Sequence, residues 1–144
     1  MADLVSFHVE GFDEFQKLDF DKKEVKKAMR QAGRLVQRDA KRSVSRKSAS
    51  GGYPHRRTGR LRRSITARVS RSGFMVIVKP RHVTGMPDVL YPMVLHYGRK
   101  TKDGRKWRIK PMRNYIAEAL EAQKSDVGAL LFEALTKALE PGKR

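Results

Sequence analysis

Between Asp21 and Val44 the apolar residues Val25, Ala28, Met29, Ala32, Leu35, Val36 and Ala40 recur at three- and four-residue spacing. An α-helix brings those positions onto one continuous stripe. The positions between them carry Lys22, Lys23, Lys26, Lys27, Arg30, Arg34, Arg38 and Lys41. One face must therefore find a core, and the other cannot enter it without burying charge. Asp21, with Glu24 three residues on and Phe20 just ahead, reads as the capping box that starts this helix. So one-sided a helix predicts a layered domain in which the stripe packs on a second element.

Leu61 to Ser70 supplies that element. Leu61, Ile65, Ala67 and Val69 fall on one face of an extended chain, and Arg62, Ser64, Thr66, Arg68 and Ser70 on the other. This reading puts Arg60 and Arg62 opposite Leu61, with Arg63 on Leu61's side. Arg71-Ser72-Gly73 predicts a turn into a second antiparallel strand over Phe74 to Val78, closed by Pro80, which has no ladder donor. Weak alternation over Leu4 to Val9 predicts a short edge strand, and Phe12, Phe15 and Leu18 a helical turn. Leu90 to Gly98 favours one or two helical turns capped by Gly98. Arg99 to Ile109 reads as a basic hairpin turning at Asp103-Gly104. Pro111 predicts the start of a C-terminal helical region, and two helices or one helix broken near Ser125 to Gly128 fit its apolar spacing equally. The expected fold is α+β: one domain over residues 1–144, with a long N-terminal helix on a small antiparallel sheet, C-terminal helices, and Leu35, Ile65 and Val76 in the core. Ser43 to Arg57 is rich in Gly and Ser and reads as a flexible basic loop.

Charge narrows the function. With 33 Lys and Arg against 15 Asp and Glu, the chain carries a formal +18, which calls for a polyanion or an acidic protein surface as partner. The charge is also segregated, because no acid lies between Asp39 and Asp88 while thirteen basic residues do. There is no cysteine, which excludes disulfides and thiolate metal sites. His8, His55, His82 and His96 lack ligand spacing, and Ser64 lacks a nucleophile elbow. Asp39, Asp88 and Asp103 are too scattered for a general acid/base pair. No enzyme, cofactor or metal is expected. The acidic N-terminus and the lack of an apolar run of about 20 residues predict a soluble protein made in the cytoplasm, without membrane contact. Tyr53 and Trp107 sit among basic residues where an aromatic could stack on a base, although packing is the commoner use. No zinc-finger spacing or RNA-recognition motif is present, so any nucleic-acid contact would be to phosphates and indifferent to sequence.

Pro54-x-x-x-Thr58-Gly59-Arg60-Leu61-Arg62-x-Ser64-Ile65 resembles the motif of a phage neck and tail-completion family, the head-to-tail joining proteins of long-tailed bacteriophages. Asp39-Ala40-Lys41 before it, Tyr91 to Gly98 after it, and the Pro111 to Leu120 segment follow the family's order. His96 stands where the family commonly has an acid, and Pro111-Met112 where it often has Pro-Phe. The resemblance implies a structural virion protein, assembled in the host cytoplasm into a homo-oligomeric ring, commonly of six copies. That ring would sit at the head-proximal end of the tail, joined to neighbouring neck and tail proteins around the DNA channel. It further implies structural roles for Thr58, Gly59, Leu61, Ser64, Ile65, Tyr91, Gly98 and Pro111. The basic residues Arg46, Lys47, Arg56, Arg57, Arg60, Arg62 and Arg63 are the expected contacts with genome DNA or a partner ring, with Arg60 and Arg62 foremost. A free-standing basic nucleic-acid-binding protein is the alternative.

Overall fold

Asp21 caps the first helix as its position predicts: its carboxylate accepts from Lys23 N at 2.9 Å, and helix α1 runs Lys22–Ser43. Lys41 and Arg42 in its last turn complement the helix dipole. The computed structural model describes residues 5–8, 21–45, 52–54, 56, 58–86 and 91–139. The turn expected over Phe12 to Leu18 lies outside them.

Three strands form the sheet that receives α1: β1 (Val5–His8), β2 (Ile65–Val69) and β3 (Met75–Pro80), in the order β1-β3-β2, with both pairings antiparallel. β1 is thus an edge strand as expected, and β2 is the other edge. Register pairs Ile65 with Pro80 and Val69 with Val76, and the turn closes with Ser70 N donating to Met75 O at 2.9 Å. Ile65, Val76 and Val78 are fully buried against α1. Leu35, expected beside them, is only half-buried at the core's rim.

Between the sheet and the C-terminus lie a short helix α2 (Arg60–Ser64), helix α3 (Tyr91–Tyr97), and a small hairpin of β4 (Arg99–Lys100) and β5 (Trp107–Ile109). Gly98 ends α3 with φ 75°. A Cβ placed there would lie 2.7 Å from Ile109 O and 2.8 Å from Pro111 N, so only glycine lets the two segments meet.

Helix α4 (Tyr115–Leu139) is a single helix, so neither a break nor two helices occurs near Ser125 to Gly128. Gly128 costs helix propensity of order 1 kcal/mol, but Val127 and Ala138 are buried in the shared core on either side and hold the helix through it. Nor does α4 begin at Pro111. The proline is engaged against Gly98, and the cap falls to Asn114, whose Oδ1 accepts from Ile116 N at 3.2 Å and Ala117 N at 3.0 Å. α4 runs antiparallel to α1, with Asp21 N donating to Ala138 O at 3.3 Å. Both helices bury alanines, among them Ala28, Ala32 and Ala40 on α1 and Ala119, Ala134 and Ala138 on α4.

Gly33 sets the distance between α1 and the sheet. A Cβ there would lie 2.7 Å from Val76 Cγ1 and 3.2 Å from Ala67 Cβ. Val76 is fully buried and β-branched, so it has no room to yield. At the exposed Gly128, by contrast, an added Cβ meets nothing within 4 Å. The two helix glycines should therefore respond with opposite signs. Gly33→Ala should lose about 1 kcal/mol net, because overpacking of about 1–3 kcal/mol outweighs roughly 1 kcal/mol of helix propensity. Gly128→Ala should gain about 0.5–1 kcal/mol. Urea denaturation of both variants reads the difference, and a stabilised Gly33→Ala would refute the close packing.

Candidate partner-contact surface

The segment that carries the basic cluster is helical before it is extended. Gly59, at φ 74°, turns the chain into α2, and Arg63 N donates to Gly59 O at 3.0 Å. The strand expected from Leu61 therefore starts at Ile65. Two residues four apart share a face in a strand and also in one helical turn, so the Leu61–Ile65 spacing could not separate the two.

This change redistributes the arginines. Arg62 and Arg63 are exposed together on α2, whereas Arg60 turns away, its guanidinium so close to the 85 loop that a Cβ on Gly85 would lie 2.9 Å from its Cζ. The expected pairing of Arg60 with Arg62, and the separation of Arg63 from them, are both corrected. Arg56 is exposed. Arg46, Lys47 and Arg57 lie outside the described residues.

The motif residues between these arginines fasten the fold. Ser64 is fully buried, with its Oγ donating to Leu61 O at 2.6 Å and its carbonyl accepting from Arg81 N at 2.8 Å. The next carbonyl, of Ile65, accepts from Gln37 Nε2 of α1 at 2.8 Å. Leu61 packs against the core, and Thr58 is exposed beside Gly59. Gly98 and Pro111 meet each other, and Tyr91 begins α3.

A second fastening was not read from the sequence. Tyr53 donates its hydroxyl to Glu118 Oε2, and Arg113 grips the same carboxylate with Nε to Oε1 at 2.8 Å and Nη2 to Oε2 at 2.7 Å. The Arg113 guanidinium also lies 4.6 Å from the Tyr53 ring centre, and Arg113 N donates to Gly52 O at 2.9 Å. The loop expected to run free from Ser43 is thus still helical at Ser43 and held at Gly52 and Tyr53, with Pro54 buried. Tyr53 and Glu118 are too distant in sequence for any spacing rule to pair them.

Trp107 is not a packing residue. It is 45% exposed on the β4–β5 hairpin, with Lys100 Nζ 5.0 Å from its ring centre.

An open cleft of about 570 Å³ runs between α1 and β2. Lys26, Arg30 and Arg34 line one wall and Arg68 and Arg71 the other, over a floor that includes Gly33, Ala67 and Val76. A smaller groove of about 240 Å³ between α1 and α4 carries Glu24, Lys27, Glu133 and Lys137 and is charge-balanced.

A family model described as "Bacteriophage HK97-gp10, putative tail-component" matches residues 10–90, more than half of the chain. The matched stretch contains α1, the Thr58 to Ile65 motif and the β2–β3 hairpin. No curated protein and no solved structure matches.

The clamp on Tyr53 has a signature in pH. The Tyr53 hydrogen bond, followed by Arg113, holds Glu118 below the ordinary value of 4.5. Its stabilisation is therefore complete above 4.5 and lost as pH falls through the lower folded value. Tyr53 is raised above 10.0, first by its bond to Glu118 and then by burial, so its share is present below 10.0 and lost as pH rises through the higher folded value. Glu118→Gln should lower the melting temperature by roughly 2–4 °C near neutrality. That deficit should shrink towards zero in acid, and a deficit unchanged down to acid unfolding would show that Glu118 acts by shape alone.

Proposed function

The chain belongs to the HK97-gp10-like family of phage tail components, and from that membership we propose a structural, non-catalytic part in the neck: a closed ring at the head-proximal end of the tail that joins it to the head around the DNA channel. The family's tail role supports the setting. One surface observation supports the ring. Phe132 is 74% exposed on α4, with Leu139 two turns on at 53%, and Gly128 and Ala129 are exposed on the preceding turn. Covering so exposed an aromatic would remove apolar area from water, which favours using this face as a contact surface. The strongly basic side of α1 and α2 presents a different surface, and a heterologous ring needs each copy to carry two unlike patches. Arg56, Arg62 and Arg63 stand outward beside a motif fixed by buried hydrogen bonds, the placement suited to docking on an acidic neighbouring ring.

Sedimentation and negative-stain imaging of the purified protein test the ring. Phe132→Asp should abolish ring particles while leaving the melting temperature nearly unchanged, since an exposed substitution costs within about 0.5 kcal/mol. Rings that persist in that variant, or a wild-type chain that stays monomeric at every concentration, would count against the reading; a monomer that binds DNA tightly would favour a free-standing nucleic-acid-binding protein. Arg62→Glu with Arg63→Glu should leave rings intact and yield tails that fail to join heads, rescued by a compensating reversal on the neighbour.

A further inference from the structure

The cleft between α1 and the edge strand β2 concentrates cations more than overall basicity requires. Lys26, Arg30 and Arg34 follow one another at four-residue steps, a row about 12 Å long by helix rise. Arg68 and Arg71 face the row from the sheet's edge and its turn. No carboxylate lines the cleft, and none of the five cations has an ion-pair partner among the described residues. The groove on the other side of the same helix carries Glu24 and Glu133 beside its lysines, and Lys137 pairs with Glu133 at 2.5 Å. Of the two grooves that flank α1, only the one beside β2 is thus lined by cations without acids among the described residues.

The lining also limits what the cations can hold. Gly33 and Val76 are buried, Ala67 and Val69 half-buried, and all four are engaged in the α1–sheet packing, so the cleft offers no apolar pocket for an anchoring side chain. Among the described residues that line it there is no aromatic on which an unstacked base could lie. A second copy's α4 suits it poorly, because Glu118, Glu121 and Glu133 already have basic partners on their own chain, and Asp126, the one acid of that helix without an ion pair among the described residues, cannot match five cations. A regularly charged backbone with its bases stacked away inside matches a row of unpaired cations without aromatic or apolar anchors. We infer that this cleft binds the phosphate backbone of double-stranded DNA, without regard to sequence. The inference stands apart from ring formation and concerns none of the arginines assigned above to docking.

Binding of the full chain to a short mixed-sequence DNA duplex, followed over a range of salt, tests it. Five phosphate contacts predict a slope of log affinity on log salt of roughly −4 to −5, a several-hundred-fold loss between about 50 and 200 mM. Arg30→Gln with Arg68→Gln should make that slope shallower by about 2, and Arg34→Gln with Arg71→Gln should do the same, so the result does not hang on one variant's folding. Arg62→Gln with Arg63→Gln removes equal charge outside the cleft and should leave the slope unchanged. Equal effects from the cleft and control pairs, or no binding by the wild-type chain, would overturn the assignment. Retention of poly-glutamate at a salt concentration that releases the duplex would overturn it in favour of an acidic protein segment. Sedimentation of the same samples records assembly separately, so loss of the ring and loss of DNA binding are told apart.

Discussion

Everything in the fold hangs on how closely α1 approaches the sheet. Gly33 brings the helix backbone onto Val76 and Ala67, and one turn later Gln37 reaches the Ile65 carbonyl. That carbonyl belongs to an edge strand, where unpaired backbone groups otherwise face water or invite pairing with another chain. A side chain from the helix therefore answers for a missing strand. A bulkier residue at 33 would lift the helix and lengthen the Gln37 bond together, so packing and polar satisfaction are coupled at this point.

The Thr58 to Ile65 motif divides its labour in a way its composition conceals. Gly59 turns the chain, Ser64 satisfies the α2–β2 junction, and Leu61 and Ile65 point into the core. Arg62 and Arg63 between them occupy the positions this helical turn leaves outside, while Arg60 lies against the 85 loop. A short helical turn thus holds Arg62 and Arg63 on a fixed backbone, so that less backbone entropy would be lost if they met a partner.

The sequence made elements with long periodic patterns legible: α1 to within a residue at its capped start, the β2–β3 hairpin, the edge position of β1, and the helical choice for Tyr91 to Tyr97. It failed where two geometries predict the same spacing, as at Leu61 and Ile65, and where the start of an element depends on a distant contact, as when Gly98 occupies Pro111 and leaves Asn114 to cap α4. The surface was harder to read. Lys26, Arg30 and Arg34 were visible as a basic helix face, but only the docking of β2 beside them makes a cleft. Tyr53, Arg113 and Glu118 come together through tertiary structure alone.

The hydrogen bond from Asp21 to Ala138 joins the first turn of α1 to the last turn of α4, nearly the full described length apart. Such a contact raises the contact order of the fold and cannot form until synthesis has passed Ala138. Until then the buried face of α1 lacks the last turns of α4 that close over its start. The order in which the polypeptide leaves the ribosome thus puts the closing of the two helices at the end of the fold's formation, whatever the earlier elements have already achieved.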